Sequence, residues 1–232
     1  MKDRLKNKLN YKKVLFFFAH PDDETLSAGG TINKMCLNNI EVKIVIASQG
    51  LLSRDSQNIK NIDMHISDLR EACEVLGVKK KNLIIGNFKD NSFDNEPLLK
   101  LTKYFNKLLF DFKPDAVFTH HKYCTNIDHK YCFEAALICT RPVNGTMIDL
   151  YSCETISSTT FNRPYNFDPS YFSVLSKENL IAKKDALDKF RFEKNKFPHM
   201  RSKKFIEINA QFRGAQIGTD YAEAFSVINL FN

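Results

Sequence analysis

At 232 residues and 43% hydrophobic content, the chain holds enough apolar material for one full core, so it fits a single domain or one domain with a small appendage. Its 34 Lys and Arg against 27 Asp and Glu give a net charge of +7. The lysines are spread along the chain, denser only over 1–13 and 79–81, and no arginine-rich helix carries interleaved aromatics, so the excess reads as a solvated face and no nucleic-acid partner is expected.

No stretch approaches the roughly 20 apolar residues of a bilayer span, and the first apolar run is too short for a signal-peptide core. Six cysteines without a C-x-x-C pair read as free thiols in a reducing compartment, which points to a cytoplasmic protein. Residues 1–13 form a polar arm, and 14–232 a single domain.

The domain opens on Val14 to Phe18, a run of large apolar residues that reads as a strand buried on both faces. It stops at His20-Pro21-Asp22-Asp23-Glu24, where Pro21 blocks a continued ladder and holds His20 extended. A helix is predicted from Glu24 to about Asn38, with acidic residues at the end its dipole favours. His20 and Asp23 can converge on one divalent ion across the turn, leaving Asp22 free to hold a water. The competing reading is an acidic helix start whose carboxylates cap backbone N–H groups.

Further on, Val42–Ala47 reads as a strand, Ser48 to Lys60 as a polar loop at its carboxyl end, and Asn61–Leu76 as a helix stopped by Gly77. His65 reads as a partly exposed residue of that helix. Leu83–Ile85 is a third strand, leading to Asp90 in a turn-forming stretch. Leu98–Phe112 is a helix and Ala116–Thr119 a fourth strand, so the alternation to this point is that of a parallel, right-handed βαβ sheet. The fourth strand delivers His120, His121 and, at the start of a helix over Lys130–Cys139, His129; spacing leaves all three open as a further ligand. Met147–Cys153 is a further strand, and Ser176–Phe197 a long charged helix ended by Pro198.

Ala19-His20-Pro21-Asp22-Asp23-Glu24 resembles the signature of the LmbE-like or PIG-L family of zinc-dependent de-N-acetylases. Asp128-His129, Phe167 to Phe172, Pro198 to Ser202, Arg213-Gly214 and Tyr221 to Phe225 match the same family. The resemblance implies a Rossmann-like, three-layer α/β fold with a mostly parallel sheet. It also implies Zn2+ on His20, Asp23 and His129, with Asp22 as general base and then acid, and Glu24 and Asp128 orienting imidazoles.

Around these, Asp90 is expected at the substrate rim and His199 facing the pocket. Asn126 stands where many members carry a histidine and would offer an N–H donor in the transition state. Cys124 replaces a common Asp, while His65 and Asp68 occupy places where the family has Arg and Glu. Glu223 is expected to be buried with a basic partner such as Arg213. The implied substrate is an N-acetylated amino sugar or its conjugate, and the family allows a homo-oligomer. The rivals are hydrolysis of another sugar-linked amide and a non-catalytic basic module for glycan or nucleic acid.

Overall fold

A computed structural model describes residues 11–51, 61–143, 147–161 and 167–231. Most of the expected amino-terminal arm (1–10) and of the polar loop after the second strand (52–60) lies outside the described residues. In chain order the elements are β1 Lys13–Phe18, α1 Asp23–Leu37, β2 Glu41–Ser48, α2 Ile62–Val75, β3 Leu83–Phe88, α3 Leu98–Phe112, β4 Ala116–His120, α4 Ile127–Cys139, β5 Asp149–Cys153, β6 Tyr171–Val174, α5 Lys177–Lys189, α6 Lys203–Ala215 and β7 Ala222–Asn229.

One seven-stranded sheet runs in the order β3-β2-β1-β4-β5-β7-β6. Its first five strands are parallel, and β7 pairs antiparallel with both β5 and β6. Since successive side chains of a strand face opposite sides, β1 feeds two cores. Val14, Phe16 and Phe18 pack with α1, α2 and Phe190 after α5, whereas Leu15 and Phe17 pack with α3 and α4. This explains why the run shows no alternation: Val14 to Ala19 are all fully buried.

Gly77 closes α2 at φ 87°, the left-handed cap its sequence position predicts. Among the described residues no helix is long and apolar enough to cross a membrane.

Two expectations fail in the carboxyl-terminal third. The helix from Ser176 does not reach Phe197 but ends at Lys189. There Phe190 turns its ring into the main core, and Arg191 is held by Asp68 through its backbone N–H (3.1 Å) and its guanidinium (2.8 Å), which draws the chain out of helical register. Glu223 is buried, but its partner is Lys183 at 2.6 Å; Arg213 instead forms a two-point pair with Glu154 at 2.6 and 3.0 Å. Lys183 also reaches the Leu26 carbonyl (2.9 Å), and Glu223 accepts the N–H groups of Gly30 and Thr31 (3.0 and 2.7 Å), tying the end of the chain to α1.

Candidate metal centre

From β1 the chain winds outward through β2 to β3, then returns to place β4 and β5 on the other side of β1. The helices after β1 and β4 therefore cover opposite faces, and a crevice opens at the carboxyl ends of these two strands.

Asp22 leaves β1 at φ 93°, ψ −26°, a left-handed conformation. A residue other than glycine pays on the order of 1–3 kcal/mol there, and keeps it only where the surroundings enforce it. Glu24 accepts the Asp22 N–H at 3.1 Å, and Asp23 accepts that of His20 at 2.9 Å. Asp22 makes no capping hydrogen bond to α1, so the helix-cap reading of this carboxylate does not describe the structure. Glu24 touches no imidazole in these bonds; its other partner is the Thr25 hydroxyl at 2.7 Å.

His20 Nδ1 and His129 Nε2 lie 3.4 and 3.3 Å from Asp23 Oδ2, and ligand atoms of the three residues all fall within 4.8 Å of one another. Two imidazoles and one carboxylate at this spacing fit a divalent metal with a position left open. The opposite nitrogen of each ring is engaged: His20 Nε2 lies 2.9 Å from Asp128 and 3.1 Å from Asp90, and His129 Nδ1 lies 3.1 Å from Cys124 Sγ. A second trio, His20, Asp90 and Asp128, is also close enough for an ion. There Asp128 already accepts the N–H groups of Asn91 and Phe93 at 2.7 and 3.0 Å, which makes it a brace for His20.

The same hydrogen-bond reasoning separates the histidines. His120 Nε2 lies 3.4 Å from Asp23, but its lone pair takes the Ala19 N–H at 2.9 Å, so it has none to offer a metal; its ring stacks on His129 with centroids 3.6 Å apart. His121 packs on Tyr123 and Phe167, with Nδ1 accepting the Tyr123 N–H.

A small polar cavity of about 100 Å³ opens over these groups, lined also by Gly50, Leu51, Asn91, Asn126, Ser158, Glu193 and Arg201. His65 is buried and lines this cavity, wedged against Phe190 and Phe192, so it is not the partly exposed helix residue expected. Asp90 is buried beside His20. Asn126 caps α4, accepting the N–H groups of Asp128 and His129 at 2.8 and 3.4 Å, while its amide donates to Asn91 at 3.0 Å.

His199 is exposed, outside the lining, and accepts the Arg201 N–H at 3.0 Å. That loop instead sends in Arg201, whose guanidinium lies 3.0 Å from Asp22 Oδ2 without hydrogen-bond alignment and also pairs with Glu193. Neither Arg201 nor Glu193 was anticipated. The family match over Pro198 to Ser202 covers this loop, but no local sequence signal separates Arg201 from its charged neighbours.

The electrostatics follow from burial and crowding. Burial pushes the Asp22 carboxyl well above the usual carboxylate range against the pull of Arg201, and Glu193, Asp23 and Glu24 push the same way as burial. Burial also lifts Glu24 to about 7. At Asp23 burial opposes ionisation, but His129 and His120 hold it well below the ordinary value.

Residues 15–140 match the PIG-L family, described as GlcNAc-PI de-N-acetylase. A probable N-acetyl-alpha-D-glucosaminyl L-malate deacetylase 2 of Bacillus cereus is 26% identical over 116 residues, which are 47% of this chain and 52% of that protein. The chain thus spans about half the length of that relative. Among solved structures, N,N'-diacetylchitobiose deacetylase from Pyrococcus horikoshii superposes with a TM-score of 0.74 at 22% identity, covering 97% of this chain and 86% of that one. The zinc-inhibited form of teicoplanin deacetylase Orf2 gives 0.76 at 14% identity, covering 93% and 97%. At these identities the two structures speak for the shared fold.

Proposed function

We propose, on the premise that this chain belongs to the PIG-L family, that it is a zinc-dependent hydrolase removing the N-acetyl group from an amino sugar or sugar conjugate. The observation that carries the reading is the convergence of His20, Asp23 and His129 beside a buried carboxylate, Asp22, that neither caps the helix nor joins the trio. Zinc suits a donor set of two imidazoles and one carboxylate, and bound there it would supply Lewis acidity toward the amide carbonyl and the attacking water. The six free cysteines support a reducing, cytoplasmic setting.

In the reaction water adds its oxygen to the acyl carbon, the C–N bond breaks, and acetate and the free amine leave. The proton lost by water passes to the Asp22 carboxylate and from there to the departing nitrogen. The raised proton affinity of Asp22 suits both halves of that transfer. The Arg201 charge lies against one Asp22 oxygen, and Glu193 holds Arg201. Asn126 sets the position of His129 as the cap of α4, and its amide has a second N–H to offer the developing oxyanion. Asp128 orients His20, and Asp90 lines the substrate side next to it.

Metal analysis combined with acetate release across a panel of N-acetylated sugars and nucleotide sugars tests this reading. Zinc near one equivalent and acetate from at least one substrate are expected, with His20→Ala, Asp23→Ala and His129→Ala each losing the metal. A zinc-loaded chain that releases acetate from none of them, yet binds a polyanion in a salt-sensitive and chelator-indifferent way, would turn the reading toward a basic binding module.

A further inference from the structure

Cys124 differs from the other five cysteines in what surrounds its sulfur. It is fully buried, yet its neighbours are polar: His129 Nδ1 at 3.1 Å, the Ser158 hydroxyl at 3.0 Å and the Thr159 hydroxyl at 3.8 Å. The Cys124 N–H is tied to the His121 carbonyl at 3.0 Å, and Thr125 bonds the Ser158 carbonyl at 3.1 Å, so the sulfur is held between the loop after β4 and the segment after β5. The other five, Cys36, Cys73, Cys132, Cys139 and Cys153, belong to or pack on the two main apolar cores.

His129 has one nitrogen on each side of this arrangement. Nε2 faces Asp23 in the candidate metal trio, and Nδ1 faces the sulfur. An imidazole can offer a metal the lone pair of Nε2 only in the tautomer that carries its proton on Nδ1, and that proton needs an acceptor in a buried site. The candidate acceptors nearby are committed elsewhere: Asn126 Oδ1 takes the N–H groups of Asp128 and His129, and Asp128 braces His20.

We infer that Cys124 is a positioning residue of the metal centre, its sulfur accepting the Nδ1–H of His129 and thereby fixing both the tautomer and the angle at which Nε2 meets the ion. A thiol sulfur is a weaker and larger acceptor than a carboxylate, so it leaves His129 a less basic ligand than a carboxylate-braced histidine. The strength with which this chain holds its metal is then set partly by a residue that never touches it. The inference rests on His129 being a ligand, and the experiment keeps the two apart.

Zinc and cobalt affinity would be measured by chelator competition for the wild type, Cys124→Ser, Cys124→Val, Cys124→Asp and His129→Ala, with circular dichroism to verify folding and the visible spectrum of the cobalt form recorded for each. Loss of an outer partner of a ligating histidine costs about 10–100-fold in metal affinity. That loss is expected for Cys124→Val, a smaller one for Cys124→Ser, which keeps an acceptor, and tighter binding than wild type for Cys124→Asp, with cobalt bands displaced in all three. Should His129→Ala lose the metal while a folded Cys124→Val keeps wild-type affinity and spectrum, the positioning role is overturned and the ligand assignment stands. Should His129→Ala bind as the wild type does, or the wild type bind neither metal, both fall. Because no substrate is used, the result holds whichever acetylated compound proves to be cleaved.

Discussion

Two buried charge clusters in this molecule obey different rules. Around α5, α6 and β7 the charges are matched one to one: Lys183 with Glu223, and Arg213 with Glu154. At the carboxyl ends of β1 and β4 they are not: Asp22, Asp23, Glu24, Asp90 and Asp128 are all buried within one crevice, with Arg201 shared between Asp22 and Glu193. Matched pairs satisfy each other, so that removing either partner strands a buried charge. A surplus of carboxylates stays ionised only if something positive joins it, and two imidazoles among them are the usual company of a transition metal. Buried charge alone does not distinguish scaffold from site; its balance does.

The sharpest way to break the comparison is to alter one charge on each side. In the crevice, Asp22→Asn is nearly isosteric but cannot take a proton, so kcat should fall about 10²–10⁴-fold while metal content stays at the wild-type level. Near-normal turnover in a metal-loaded variant would remove Asp22 from the reaction. In the matched cluster the loss should appear as stability. Lys183→Met leaves Glu223 charged and buried, at a cost of about 3–5 kcal/mol in urea unfolding. Adding Glu223→Gln should recover part of it, since the amide still accepts from Gly30 or Thr31 without carrying a charge. Equal unfolding midpoints for the wild type and Lys183→Met would mean that the pair does not stabilise the fold.

A third change probes a histidine that belongs to neither rule. Burial, helped by the Lys122 charge and opposed by Glu154, pushes His121 down to about 4. Its folded value lies below its unfolded one, so its contribution is fully present above about pH 6.5 and is lost as pH falls through 4. His121→Gln should flatten stability over that window; an unchanged acid limb in the variant would assign the loss to other groups. The smallest effect concerns Asn126. Asn126→Ser retains a capping oxygen and Asn126→Ala does not, so the two should differ by about 1 kcal/mol in stability, with the alanine variant also holding its metal less well. Identical metal content and unfolding in both would show that the cap does not position His129.

Much of the parallel half is legible because its strands are short, mostly apolar stretches separated by helical periods and turn residues. Pro97 and Pro114 bracket a clear 3.6-residue period, and the helix runs over Leu98–Phe112 as that period predicts. The carboxyl-terminal third was harder. Nothing local in Lys189-Phe190-Arg191 marks a helix end, because the stop is imposed by Asp68, more than 120 residues earlier. The basic partner of Glu223 is Lys183 and not Arg213 for the same reason: sequence shows that a buried acid needs a base, and only the packing of α5 against α1 shows which. In the site, Asp22, Asp23 and His20 were visible as a polar cluster with no packing purpose. Arg201 and Glu193 were not, as each is an ordinary charge in a charged stretch until the loop folds over the crevice.

The bond from Glu223 to Gly30 and Thr31 also has a consequence for the order in which the molecule is made. The first two residues of the candidate metal trio are synthesised well before β7, on the turn leading into α1. That helix is tied down by a carboxylate on β7, 193 residues beyond Gly30. Contacts so distant in sequence form late, so β7 must leave the ribosome before this anchor on the helix that follows His20 and Asp23 can close. Nascent chains halted ahead of β7 should therefore take up metal poorly, although every ligand has already emerged.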